Sequence, residues 1–255
     1  MDFGHQNFRN EIVWCYASGG VSTRYFGKKH DIILFYTKTK KYQFNPQYRP
    51  YSKGTLQRGL TTYKKKLNEN YTLRKEGAIQ NDWWSDVTPL LSPTSKERLG
   101  YPTQKPITLL NRIILASSNP GDTVFDPFCG CGTTIYSAEK NNRKWIGCDI
   151  AILAIKLIRH KLEEKYNLVE GTHFVVDGIP VSIEQAEDLF KRDPFQFQHW
   201  FIELVGGFPI QKKVADKGID GKLYFETGNG LKEMVLSVKG GDSPNRFKRF
   251  ARSIR

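Results

Sequence analysis

The segment Asp126-Pro127-Phe128-Cys129-Gly130-Cys131-Gly132-Thr133-Thr134, which follows the short apolar run Val124-Phe125, has the types and spacing to do chemistry. Gly130 and Gly132 lack side chains, so a ligand can come close to the backbone of the turn. The helix expected after it directs its first N–H groups at that ligand and favours a carboxylate or phosphate there. Asp126 ends a strand, at the crevice where open α/β sheets bind ligands. Asp149 ends the next strand, 23 residues further on, where a carboxylate is placed to hold two ribose hydroxyls. Together they imply a nucleotide-like cofactor. Asp-Pro-Phe-x-Gly-x-Gly-Thr departs from Gly-x-Gly-x-x-Gly, which argues against a nicotinamide dinucleotide.

Such residues need a parallel sheet to carry them. Residues 123–125 and 144–148 read as strands, and residues 133–141 and 151–166 as helices. Strand, helix, strand, helix within roughly 45 residues means a parallel βαβ unit, and hence an α/β fold. Before it, Ile107, Leu110, Ile113 and Ile114 fall at helical spacing after Pro106, and Asn119-Pro120-Gly121-Asp122 ends that helix. Residues 10–17 and 31–37 read as β-branched, aromatic strands. Residues 38–98 lack periodicity and predict an inserted, largely irregular region with one helix. Residues 169–182 read as a linker holding one short strand. A second module follows over 183–255, with helices at 184–191 and 197–205. Its strands, at 222–226 and 233–238, flank the turn Thr227-Gly228-Asn229-Gly230.

The balance of 39% hydrophobic and 13% aromatic residues is that of a globular chain. No stretch approaches the ~18 apolar residues of a membrane span, and no signal-peptide pattern opens the chain, which points to the cytoplasm. Cys15, Cys129, Cys131 and Cys148 are spaced for neither a disulfide scaffold nor a paired zinc motif. The net charge is +13, unevenly spread. Residues 37–80 hold eleven Lys or Arg against Glu69 and Glu76, a net +9, with Tyr42, Tyr48, Tyr51, Tyr63 and Tyr71 interleaved. Cations that neutralise phosphates and rings that stack suit a nucleic-acid surface; a solvated basic loop is the plainer reading.

The 126–134 segment resembles the S-adenosylmethionine-binding motif of DNA amino-methyltransferases, which modify adenine N6 or cytosine N4. Tyr101-Pro102-Thr103-Gln104-Lys105-Pro106 resembles their other cofactor-side motif. Asn10-Glu11-Ile12-Val13-Trp14 and Lys29-His30-Asp31-Ile32-Ile33-Leu34 are similar to the strands that follow their catalytic region. The order resembles the permuted class in which catalytic motif, target-recognition region and cofactor motif follow one another, and the resemblance covers residues 1–168. It implies a Rossmann-like sheet, S-adenosyl-L-methionine as cofactor and duplex DNA as substrate, with adenine the favoured target and a restriction–modification setting. It also implies that Asp126, Pro127, Phe128, Gly130 and Gly132 line the methionine end of the cofactor. Asp149 would take the ribose, and Thr103 with Lys105 would sit by the carboxylate. Taken alone, Lys105 reads equally well as a plain surface charge.

That family binds the target amine with an Asp/Asn/Ser-Pro-Pro-Tyr/Phe/Trp loop, and the base must be flipped out to reach it. None of the twelve prolines here is followed by another. Asn45-Pro46-Gln47-Tyr48 and Asp193-Pro194-Phe195 are near misses in the wrong places. In the permuted order the loop belongs upstream of residue 1. The expectation is therefore a fragment, or a chain starting at an internal Met, that is inactive alone. Its partner, besides DNA, would be a restriction-system protein or the missing N-terminal part of the same domain.

In the second module, Asp220 precedes a strand and Lys239 ends another, with Glu203 on the helix before them. An acid and a Lys on adjacent strand ends can hold Mg²⁺ and activate water for phosphodiester cleavage. This resembles nucleases of the restriction-endonuclease-like fold. Asp220 would be the metal ligand, and Ser237 stands where an acid or Gln is usual, which favours binding over cutting. A small α/β module with surface charges and no site is the plainer reading. The basic tail 246–255 could touch DNA. Two other readings of the whole chain stay open: a non-catalytic DNA-binding module, and an RNA or small-molecule methyltransferase on the same cofactor fold.

Overall fold

The computed structural model describes residues 4–16, 22–59, 72–90, 95, 97–101, 103–210, 219–228 and 230–239. The chain divides into two compact units, Met1–Asn167 and Leu168–Arg255.

In the first unit, β1 (Phe8–Cys15) and β2 (His30–Tyr36) pair antiparallel, with Val13 opposite Ile32 and Trp14 opposite Asp31. The segment expected to be irregular is more ordered than its sequence implies. β3 (Tyr48–Arg49) is followed by α1 (Lys53–Arg58), which Ser52 caps through its side chain and Gly59 ends in a left-handed conformation. β4 (Ala78–Ile79) pairs antiparallel with β3, and β5 (Trp83–Trp84) joins β1 in parallel. Two-residue strands carry no period to read. Tertiary contacts set them instead: Trp14, Trp84, Val87 and Leu109 form one buried cluster, and Trp14 Nε1 donates to the Val87 carbonyl at 2.8 Å.

α2 (Ile107–Ser117) turns Leu109 and Ile114 inward. Asn45 closes its C-terminal end: its backbone N–H donates to Ala116 O at 2.7 Å, and its Nδ2 donates to Leu115 O and Ser118 O, each at 2.9 Å. That answers orphan carbonyls of the last turn, so Asn45-Pro46-Gln47-Tyr48 is a helix closure.

β6 (Thr123–Asp126) and β7 (Lys144–Gly147) pair in parallel, joined by α3 (Thr133–Lys140), the crossover a parallel pair requires. α4 (Ile152–Tyr166) follows and buries Ala154, Ile158 and Leu162. α2 and α3 are stitched by Asn111, whose Oδ1 accepts from Ser137 Oγ (2.7 Å) and Asn141 Nδ2 (2.9 Å). The strand pair is covered unevenly: Val124 and Trp145 are half-buried, whereas the register neighbours Phe125 and Ile146 are 60% and 54% exposed.

The second unit pairs α5 (Ile183–Arg192) with α6 (Pro194–Leu204) over buried Ala186, Leu189, Phe197, Trp200 and Ile202. Asp193 caps α6, accepting from Phe195 N (3.1 Å) and Gln196 N (3.0 Å), with Pro194 at the first helical turn. The second Asx-Pro near miss is thus a helix start. β8 (Phe208–Pro209), β9 (Gly221–Thr227) and β10 (Gly230–Leu236) form an antiparallel sheet in the order β10-β9-β8. The short strand expected in the linker is replaced, among the described residues, by one isolated bridge between Glu170 and Phe174. No described helix is long and apolar enough to cross a membrane.

Candidate cofactor site

β6 and β7 end in the two acids that the sequence singles out, and both tie down the loop between β6 and α3. Asp126 Oδ1 accepts from Phe128 N at 3.0 Å, and Oδ2 accepts from the Thr134 hydroxyl at 2.6 Å. Asp126 thus bridges strand end and helix start. Asp149 Oδ2 accepts from Gly130 N, and its Oδ1 from Ala151 N at the start of α4, both at 2.8 Å. Each carboxylate oxygen keeps a further lone pair for a ligand.

A cavity of about 210 Å³ opens between this loop and residues 101–105. Of the residues expected at a cofactor, Thr103, Lys105, Asp126, Phe128 and Gly130 line it, and Pro127, Gly132 and Asp149 do not. Pro127 is exposed outside it, and Asp149 reaches it only through Gly130. Gly132 is bare for another reason. A Cβ there would lie 2.6 Å from Ile158 Cγ1 and 3.2 Å from Tyr136 Cζ, with φ at +82°. It lets α4 pack against the start of α3 rather than letting a ligand approach.

Tyr101 and Cys129 also line the cavity, and spacing assigned neither a role. The Tyr101 ring lies over the turn, 3.4 Å from where a Cβ on Gly130 would sit. The signal for Tyr101 was its place at the head of the Tyr-Pro-Thr-Gln-Lys-Pro run. Thr103 holds a left-handed φ of 67°, strained for a β-branched residue, at the cavity edge.

The donor set fits an anionic ligand arm. α3 starts at Gly132 with no side-chain cap, Thr133 and Thr134 line the cavity, and Lys105 adds a cation. The volume is below the ~300–1,000 Å³ of sites that enclose a whole small molecule, so the cavity suits one arm of a larger ligand. A larger cavity of about 320 Å³, bordered by Ile12, Ile33, Trp84 and Ile113, contains none of the residues expected at the cofactor.

Burial, with the Asp149 and Asp126 carboxylates beside it, pushes the Cys129 thiol from its ordinary 9.0 up to about 12. The folded chain therefore holds this proton more tightly than the unfolded chain. The contribution is complete below about pH 9 and is lost as pH rises towards 12. Melting temperatures measured from pH 8 to 11 should fall, and fall less steeply in Cys129→Ala. Equal slopes would mean that this thiol is not the group responsible. All four cysteines are free, as their spacing implied.

The basic segment presents its charge outward. Lys38, Lys40, Lys41, Arg49, Lys53, Arg58, Arg74 and Lys75 are all exposed. Lys64, Lys65, Lys66, Tyr63 and Tyr71 lie outside the described residues. The remaining tyrosines are partly structural. Tyr42 packs edge-on to Phe35 and under the Arg9 guanidinium (4.8 Å), and the Tyr51 hydroxyl accepts from Arg74 N (3.0 Å).

The magnesium site expected in the second unit does not assemble among the described residues, where no group of three or more His, Cys, Asp or Glu could hold a metal. The physical reason is local. Asp220 Oδ2 accepts from Val238 N at 2.6 Å, and its backbone N–H donates to Leu236 O at 2.9 Å. One oxygen of the carboxylate thus helps to close the β9–β10 ladder. Glu203 is partly buried on α6, while Ser237 and Lys239 are exposed beyond β10. An antiparallel sheet without a metal cluster gives the nuclease-like reading no support. Asp216 and the tail 246–255 lie outside the described residues.

The family model described as DNA methylase matches residues 1–160. Among curated proteins, the chain is 38% identical over 158 residues to the DNA adenine methyltransferase YhdJ of Escherichia coli K12, covering 61% of this chain and 52% of that protein. It is 35% identical over 199 residues to the type II methyltransferase M.HpaI of Haemophilus parainfluenzae, covering 77% of this chain and 58% of that protein. The chain thus spans about half the length of these curated relatives. Among solved structures it is similar to the M1.HpyAVI–SAM complex, at 23% identity and a TM-score of 0.40, covering 61% of this chain and 62% of that one.

Proposed function

The chain belongs to the N6/N4 DNA methylase family, and from that premise we propose that it is the cofactor-binding and DNA-contacting portion of a DNA amino-methyltransferase. The methyl donor is S-adenosyl-L-methionine and the acceptor is an exocyclic amine in duplex DNA. The observation that carries this is the cavity in which Thr103 and Lys105, 23 and 21 residues before Asp126 in sequence, meet the Asp126–Gly130 turn. Bound there, the cofactor supplies an electrophilic methyl group on sulfur. The chain's own residues bind and orient. Lys105, Thr103 and the start of α3 hold the amino-acid arm. Phe128, exposed and lining the same cavity, offers a ring beside it. Asp149 holds the turn and offers its remaining lone pairs to ribose hydroxyls. The exposed cations Lys38, Lys40, Lys41, Arg49, Lys53, Arg58, Arg74 and Lys75 supply sequence-independent attraction to phosphates.

Adenine N6 is the favoured acceptor, supported by the likeness to a DNA adenine methyltransferase, and the restriction–modification setting by the likeness to a type II methyltransferase. With no Pro-Pro loop among its twelve prolines, the chain lacks the group that accepts hydrogen bonds from the target amine. The purified chain should bind S-adenosylhomocysteine in calorimetry and retain duplex DNA in low salt, yet transfer no tritiated methyl group to it. Methyl transfer would refute the assignment as a portion. No binding of the cofactor product would instead favour a DNA-binding module without a cofactor.

A further inference from the structure

Lys105 does not stand alone at the cavity. Its Nζ lies 3.1 Å from Asp31 Oδ2 and 5.3 Å from the centroid of the Trp14 ring. Asp31, on β2, is held from the other side by the Tyr16 hydroxyl, which donates to its Oδ1 at 3.2 Å. Burial and the Asp31 charge both raise the Tyr16 phenol above its ordinary value, so it stays a donor. β1, β2 and the segment before α2 thus converge on one cation and one anion from positions 74 residues apart, with the cation lining the cavity.

We infer that Asp31 and Lys105 form a receptor for a zwitterion, the α-amino-acid end of the cofactor, with Lys105 taking the carboxylate and Asp31 the ammonium. The inference rests on the proposed cofactor reading and adds a binding residue, Asp31, to which the sequence assigns no role. Three features carry it. The side chains are 50% and 46% exposed, so their mutual bridge is weak and cheap to open. A zwitterion exchanges partners with the pair and leaves the net charge of the site unchanged, so neither side chain is stranded without a counter-charge. Each side chain also has a second anchor during the exchange, Trp14 for Lys105 and Tyr16 for Asp31. A lone lysine would recognise any anion. The pair demands both charges on one ligand.

The experiment is calorimetric titration of the full chain and its variants with three ligands: S-adenosylhomocysteine, its deaminated butanoate analogue, and 5′-methylthioadenosine, which lacks the whole amino-acid group. Asp31→Asn should weaken S-adenosylhomocysteine about tenfold, the loss of one charge-assisted hydrogen bond, and leave the other two ligands unchanged. Lys105→Gln should weaken S-adenosylhomocysteine and the deaminated analogue alike and spare methylthioadenosine. An equal loss of all three ligands in Asp31→Asn, or unchanged or tighter S-adenosylhomocysteine binding, would overturn the receptor while leaving the cofactor reading intact. Failure of the unmutated chain to bind S-adenosylhomocysteine and methylthioadenosine would overturn both.

Discussion

Gly132→Ala should destabilise the first unit by about 3 kcal/mol, combining left-handed backbone strain with overpacking. The added methyl would enter at 2.6 Å from Ile158 Cγ1 and 3.1 Å from Ile158 Cδ1, on a residue with φ at +82°. Ile158 is buried on α4 and cannot swing away without disturbing that helix. Gly121→Ala isolates the backbone part of the effect. Gly121 has a similar φ of +88° and nothing within 4 Å of its Cβ position, so its cost should be about 1 kcal/mol. Thermal melts of both variants give the difference. Equal losses would show that the α3–α4 contact is looser than described. Cofactor binding by Gly132→Ala, at temperatures where it stays folded, should change little, because Gly132 does not line the cavity.

The second large effect falls on the ligand rather than the fold. Asp149→Ala leaves Gly130 N and Ala151 N without their acceptor, two hydrogen bonds of 2.8 Å to a charged group. Bonds of this kind contribute about 1.5–3 kcal/mol each, and the turn they hold faces the cavity. Binding of S-adenosylhomocysteine should weaken about 100-fold, equivalent to ~2.7 kcal/mol, even before any direct contact with the ribose is lost. Asp149→Asn keeps one acceptor and should fall between. A change below threefold in Asp149→Ala would remove Asp149 from the cofactor site altogether.

The βαβ core and its acids were legible because they rest on local pattern. Apolar runs end in Asp126 and Asp149, and helical spacing follows each turn. What was not legible depends on partners far along the chain. Gly130 and Gly132 look alike in sequence, yet one lines a cavity under Tyr101 and the other is pressed against Ile158. Asp31 gives no signal until Lys105, 74 residues later, is brought beside it. β3, β4, β5 and β8 are pairs of residues set by their neighbours, too short for any period. The near misses Asn45-Pro46 and Asp193-Pro194 were ambiguous for the opposite reason: Asx side chains that serve catalysis serve helix ends equally well. In the second unit, the spacing of Asp220 and Lys239 does not by itself make a site. Spacing cannot say whether a carboxylate faces solvent or the backbone of the next strand.

The buried thiol in the cavity wall bears on the hazards of the proposed reagent. A sulfonium methyl donor is an alkylating agent, and thiolate is the side-chain form it would attack most readily. With its thiol pushed up to about 12, Cys129 stays protonated at neutral pH. Burial first, and then the two carboxylates that shape the turn, thus also act as chemical insulation. They keep this sulfur atom protonated in the wall of the proposed methyl-donor site, so that closeness to the reagent need not bring self-inactivation.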